Sequence, residues 1–362
     1  MSEQNRAKGR GIAVAVIVLL FAVSAVAWLY GTFTTRHPPG WTPGWRLVGG
    51  FHTPRRALAA ATDGRYLYVI GGVDDRGAYV KTVEYARIGP DGVPGPWRPT
   101  SPLASGRIYL AAAYLNGYVY ALGGGTGPLG SDNTPTALVE RAAVGDDGRL
   151  GPWQRQAYMT TPRRGLKVVS YRNHIYAIGG YNGTFLKSVE RADVDTGGDI
   201  TDWTLEEEQS VLERYIHSAA LWRNRIYLLG GHVHNQFKMD YGDVESTMIR
   251  PDGHTAPWEI EHSVLQVPRF VASAFAMGGY LYMVGGHNET RRLRSVEFAK
   301  IRHNGHVDTW QYAAPLQVER SATALAVAGD TVYVLGGMGE DRVLNEVEMA
   351  RQDDDGRLGY VP

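Results

Sequence analysis

A six-fold recurrence constrains this chain more than any other feature. A short apolar run closed by two glycines occurs as YVIGG at 68–72, YALGG at 120–124, YAIGG at 176–180, YLLGG at 227–231, YMVGG at 282–286 and YVLGG at 333–337. The first glycines of successive pairs are 52, 56, 51, 55 and 51 residues apart. An arginine stands sixteen residues before each pair, at Arg55, Arg107, Arg163, Arg214, Arg269 and Arg320. A Val-Glu dipeptide follows each pair and ends in Glu84, Glu140, Glu190, Glu245, Glu297 and Glu348. A glycine turn then leads to Trp97, Trp153, Trp203, Trp258 and Trp310 in five of the units. A period near fifty residues marks a propeller, a solenoid or an array, because one such unit cannot bury its own faces.

Each unit reads as four strands. The first follows the arginine and is rich in small residues, as in Ala59-Ala60-Ala61 and Ala111-Ala112-Ala113. Small side chains suit a strand close to the axis of a radial assembly. LNGY at 115–118 is a hairpin signal leading into the strand that ends in Gly-Gly. The Val-Glu strand comes third, and a DG or NG turn starts the fourth. Forty-five glycines and an aromatic content of 10% suit short strands and tight turns.

This pattern resembles the kelch family of β-propellers over about 320 residues, from Trp45 onward. The resemblance implies an all-β fold, a six-bladed kelch β-propeller, here with an N-terminal transmembrane helix. In the sixth unit the tryptophan position falls on Val361, whereas Trp45 stands ten residues before Arg55, as Trp97, Trp153 and Trp310 stand before their own arginines. Kelch-type rings are commonly closed by a blade sharing strands from both ends, so the strand around Trp45 is expected to complete blade six and to pair near Arg357. The physical reason is that pairing the two ends leaves no blade with an open flank.

The N-terminal residues differ in kind. Arg6, Lys8 and Arg10 oppose Glu3, and residues 12–33 carry no charge. About twenty helical residues span a bilayer, and the basic tail favours the cytoplasmic side. The expected organisation is a tail at 1–11, an anchor at 12–33, a linker at 34–40 and the propeller at 41–362. The rival for 12–33 is a cleaved signal peptide, with Ala25-Val26-Ala27 as the cleavage site. Either way the propeller is exported, as a single-pass membrane protein in the favoured reading. The absence of cysteine excludes disulfides and thiolate metal sites, and a formal net charge of zero gives no sign of nucleic-acid binding.

Function is sought where one unit departs from the others. Blade four has Tyr215 and His217 after Arg214, where other units carry Leu58, Leu110, Leu166, Ala272 or Thr323 at the histidine's position. His232 and His234 follow its glycine pair, and His287 takes the place of His232 in blade five. Antiparallel pairing about Arg223-Asn224 sets Tyr215 opposite His232. Arg56 and Arg164 double the recurrent arginine, and Tyr109 stands in blade two. These nine residues are the expected ligand rim: Arg56, Tyr109, Arg164, Arg214, Tyr215, His217, His232, His234 and His287. The arginines present in every unit are read mainly as structural ion pairs. Three nearby histidines suit a metal by donor type, but a polar rim without metal or cofactor is the preferred reading.

Among kelch enzymes, copper oxidases of the galactose oxidase type need a tyrosine–cysteine crosslink, and cysteine is absent here. The iron-site spacing of plant specifier proteins is also absent. Bacterial sialic acid mutarotases, six-bladed and exported, are the nearest enzymatic comparison, by a distant resemblance. The sequence reading prefers a non-enzymatic module that binds or scaffolds a protein, peptide or carbohydrate at the arginine rim. Its alternative is a sugar-binding enzyme of the mutarotase or epimerase type acting on an acidic sugar.

Overall fold

The computed structural model describes residues 40–130, 133–235 and 238–362. The expected tail and anchor and nearly all of the linker lie outside that set. Five four-stranded antiparallel sheets and one six-stranded sheet are arranged as the six blades of a ring. In blade one the order from the axis outward is Ala59–Thr62, Tyr66–Ile70, Val83–Arg87 and Arg98–Thr100. Blade four repeats it with Ser218–Trp222, Arg225–Leu229, Val244–Met248 and Glu259–Ile260. Two blades add a two-stranded ribbon after the glycine pair: Gly125–Thr126 with Thr134–Pro135, and His232–Asn235 with Lys238–Asp240.

Each sheet is apolar on both faces, so burial occurs between blades. Among the described residues one hydrophobic cluster lies at each of the six blade interfaces. That between blades three and four joins Tyr176, Ile178 and Val189 to Ile226, Leu228 and Trp258. The cluster closing the ring joins Tyr333, Leu335 and Val347 to Leu67, Val69 and Trp97.

Polar links repeat around the same ring. The tyrosine three residues before each glycine pair donates its hydroxyl to a glycine carbonyl in the turn of the next blade. The bonds run Tyr68 to Gly148 (2.8 Å), Tyr120 to Gly198 (2.6 Å), Tyr176 to Gly253 (2.6 Å), Tyr227 to Gly305 (2.6 Å), Tyr282 to Gly356 (2.5 Å) and Tyr333 to Gly92 (2.6 Å). Each glycine has φ near 80° to 88°, a left-handed conformation that glycine adopts without a Cβ clash. This accounts for the recurrent turn glycine. The indoles of Trp153, Trp203 and Trp45 donate to the carbonyls of Ser101, Ala157 and Ala314 in the preceding blade.

The ring closes in blade six. Arg46–Gly50 pairs antiparallel with Val343–Gln352, setting Arg46 against Met349 and Leu47 against Glu348. Thr42–Pro43 pairs with Leu358–Tyr360. The partner of the Trp45 strand is therefore the third strand itself, and the segment after Arg357 takes only the first two residues. Trp45 has no solvent exposure and packs with Leu316, Val284 and Val332 between blades five and six.

Deleting residues 40–50 should remove Trp45 from that interface and leave the Val343–Gln352 edge open. The expected outcome in thermal melts and light scattering is a large fall in melting temperature with aggregation, since open edges template association. A truncated protein that melts like the intact one would show that the ring does not depend on this strand.

Candidate functional site

The recurrent arginines define one end of the ring, and they are sealed. All six have zero exposure. Arg55 pairs with Glu84 at 2.6 Å, Arg107 with Glu140 at 2.7 Å, Arg163 with Glu190 at 2.7 Å, Arg214 with Glu245 at 2.8 Å and Arg320 with Glu348 at 2.8 Å; Arg269 pairs with Glu297. Each arginine also donates from Nη1 to the carbonyl of the first glycine of its pair. Burial pulls the Arg55 guanidinium down to about 10, against the opposing pull of Glu84, and burial likewise raises Glu297 and Glu348. Five of the carboxylates also accept two backbone N–H groups from the strand-entry loop, as Glu245 does from Val211 (2.6 Å) and Leu212 (3.2 Å). Arg214, expected on the ligand rim, is therefore a structural ion pair beneath it.

The second glycine of each pair donates its N–H to the carbonyl of the next blade's arginine: Gly72 to Arg107, Gly124 to Arg163, Gly180 to Arg214, Gly231 to Arg269, Gly286 to Arg320 and Gly337 to Arg55. The first glycine comes as close to the same carbonyl and leaves no room for a side chain, since a Cβ on Gly123 would stand 2.5 Å from the Arg163 carbonyl oxygen. Two residues beyond each arginine the backbone turns left-handed, with φ from 44° to 63° at Ala57, Tyr109, Gly165, Ile216, Val271 and Ala322. Their N–H and C=O groups join head to tail in a closed ring of six hydrogen bonds of 2.7 to 3.1 Å around the axis. Five of the six are not glycine, a conformation that persists only where surrounding bonds over-determine it.

The rim above this ring is built from two positions per blade, paired as antiparallel bridges: Arg56 with Val73, Ile108 with Gly125, Arg164 with Tyr181, Tyr215 with His232, Phe270 with His287 and Ser321 with Met338. Three adjacent blades thus carry aromatic and basic side chains, while the other half is mostly small or aliphatic. The aromatic side forms one continuous chain. Tyr109 meets Tyr215 at 6.3 Å between ring centroids, Tyr215 stacks with Phe185 at 5.7 Å, and Phe185 meets His232 at 5.6 Å. His232 then meets Phe270 at 5.3 Å, and Phe270 meets His287 at 5.4 Å.

Arg164 lies over Tyr181 at 4.7 Å and over Tyr215 at 5.7 Å. Its Nη1 donates to the carbonyl (2.9 Å) and side-chain Oδ1 (3.0 Å) of Asn133, so the long loop of blade two fixes it in place. Burial raises the phenols of Tyr109 and Tyr215, while Arg164 pulls both the other way. Arg56 acts with it on Tyr109. Both hydroxyls are protonated at neutral pH and available as donors.

His217 is not on the rim. It has zero exposure, and neither ring nitrogen has a hydrogen-bond partner. Its imidazole fills the space between blades that Leu110 and Leu166 fill elsewhere, close against Gly179 and Gly231. Burial, then the charges of Arg214, Lys167 and Arg163, hold it well below the usual histidine range, so it is neutral. His234 belongs to the strand His232–Asn235, and its side chain is outside the described set. Among the described residues no cluster of three metal-ligating side chains occurs. Tyr181, Phe185 and Phe270 were missed in the sequence reading. The signal for Phe270 and Tyr181 lies in the residue after each arginine and after each glycine pair, compared across all six repeats; Phe185 lies off both positions.

The fold and these side chains define a closed six-bladed propeller with an asymmetric rim. The Kelch motif matches residues 54–85 and 162–197, and the fold is an all-β six-bladed propeller of kelch type. The chain is 26% identical to Kelch-like protein 36 of Bos taurus over 250 residues, which is 67% of this chain and 37% of that protein. It is 28% identical to Kelch repeat protein M-T8 of Myxoma virus (strain Lausanne) over 232 residues, 63% of this chain and 40% of that protein. The chain thus matches less than half the length of these relatives. The solved structure of YjhT superposes with a TM-score of 0.66 at 12% identity, over 85% of this chain and 98% of that one. This likeness, a whole ring against a whole ring, corrects the preference for a non-enzymatic module.

Two substitutions separate structural from functional side chains. Glu245→Gln should cost about 3–5 kcal/mol in urea unfolding, because it leaves the Arg214 charge buried without its counter-ion. His217→Leu should be neutral or stabilising by about 1–3 kcal/mol, since it removes unsatisfied buried nitrogens and restores the residue of the sister blades. Strong destabilisation by His217→Leu would show that the imidazole makes a bond that holds the blades.

Proposed function

We propose that the protein is a carbohydrate-directed enzyme of the mutarotase or epimerase type that binds an acidic sugar on the aromatic half of the arginine rim. The observation that carries this is the continuous run from Tyr109 through Tyr215, Phe185 and His232 to Phe270, with Arg164 fixed over it. Aromatic faces take the apolar C–H face of a pyranose, and tyrosine hydroxyls bond its rim. A guanidinium held in place recognises a carboxylate in two-point fashion. Anomer interconversion needs one group to take the anomeric hydroxyl proton while another protonates the ring oxygen. His232 beside Tyr215 is the pair assigned to that exchange. The resemblance to bacterial sialic acid mutarotases supports the same substrate class. The uncharged segment 12–33 with its basic flank supports a propeller held outside the cytoplasm.

Titration calorimetry with N-acetylneuraminic acid and with a neutral hexose tests the reading. The wild type should bind the acidic sugar saturably and the neutral sugar more weakly. Arg164→Met should weaken acidic-sugar binding by about tenfold or more, roughly 1.4 kcal/mol, without lowering the melting temperature. Equal binding by Arg164→Met, or no saturable heat with the wild type, would refute it.

A further inference from the structure

The axis beneath the rim holds a second feature, and it does not depend on the sugar reading. Each inner strand lies at the end of its sheet, so its outer edge, with unpaired backbone groups, faces the central channel. Four residues beyond each arginine stand Ala59, Ala111, Lys167, Ser218, Ser273 and Ala324. Five are small; one is a lysine. Around them the channel holds a cavity of about 130 Å³ in which, among the described residues, Lys167 is the only charged one in the lining. Lys167 is half-buried, and what it opens onto is this cavity. No described carboxylate pairs with it.

A lysine with no counter-ion inside a ring of six sheets is costly unless something neutralises it. Burial pulls Lys167 down to about 8 with no acidic group opposing, so the ammonium form still dominates at neutral pH. The neighbouring His217 is neutral and supplies no charge of either sign. Hydroxyl groups complete the surroundings: Ser218 Oγ donates to the Ala272 carbonyl (2.8 Å), and Ser273 Oγ and Thr323 Oγ1 share a bond of 3.0 Å. Toward the rim the axis narrows, inside the hydrogen-bonded ring, to a cavity of about 20 Å³, room for about one water.

We infer that the central channel holds a small monoanion, a halide or a short carboxylate, against the Lys167 ammonium, admitted from the face opposite the arginine rim. The cavity is small, and its lining carries a single positive charge, that of Lys167. The site is therefore separate from the rim in both position and ligand size.

The test uses chloride and acetate as probes on the full chain, by ³⁵Cl line-broadening and by thermal shift in a buffer free of small anions. The wild type should broaden chloride saturably or bind acetate saturably, and its melting temperature should rise as either fills the site. Lys167→Met should lose the saturable signal and melt higher than the wild type without anion, because the unpaired charge is gone. Lys167→Ala, which copies three sister blades, serves as a second variant should the first misfold. Arg164→Met should bind the small anion as the wild type does, which separates failure here from failure of the sugar reading. No saturable response to either anion in the wild type, or an unchanged response in both Lys167 variants, would overturn the inference.

Discussion

The buried arginine–glutamate pair is the interaction on which this ring depends. It recurs in all six blades with zero arginine exposure. In five of them the glutamate also collects the N–H groups of the loop arriving from the previous blade. Two charges out of water are expensive, and excellent geometry with additional hydrogen bonds is what makes such a pair tolerable. The arginine meets that condition through the glycine carbonyl, and its own carbonyl accepts the N–H of the preceding blade's second glycine. Arginine, glutamate and the glycine pair are thus one device. It fixes the radial position of every inner strand, and the head-to-tail ring of backbone bonds at the axis follows from that placement.

A skeleton held this way leaves the residues just beyond the clamp free to differ. The position after the arginine and the one after the glycine pair face each other as bridges in every blade. They carry no shared structural duty, and three adjacent blades use them for an aromatic and basic surface. The long loop of blade two then reaches across to hold Arg164 through Asn133. The asymmetry of the rim is built on the symmetry of the clamp. The channel below shows the same logic on a smaller scale, with one lysine among five small residues at equivalent positions.

Much of this architecture was legible in the sequence, because arginine and tyrosine keep constant offsets from the glycine pair, and a Val-Glu follows it, in all six units. The four-strand unit and the number of blades follow from those offsets and from the impossibility of burying one sheet alone. The site was less legible. Spacing along a strand places a residue at one end of the ring but does not say whether it points into an interface or out to solvent. His217 shows the difficulty: it shares the rim end with Tyr215, two residues away, yet fills a slot that leucine fills in sister blades. The leucines at that position were the available hint. Phe185 escaped because an aromatic residue in a loop carries no motif, and only the folded ring brings it, with Phe270, beside His232. The preference for a non-enzymatic module had no residue-level support and fell to the whole-ring likeness with YjhT.

The central claim, that the aromatic rim performs chemistry on an acidic sugar, is tested most directly by exchange NMR on the two anomers of N-acetylneuraminic acid. At a pH where spontaneous interconversion is slow, catalytic amounts of the protein should produce exchange cross-peaks between the anomers and raise the interconversion rate in proportion to protein concentration. An interconversion rate equal to that of buffer at every protein concentration would contradict the account.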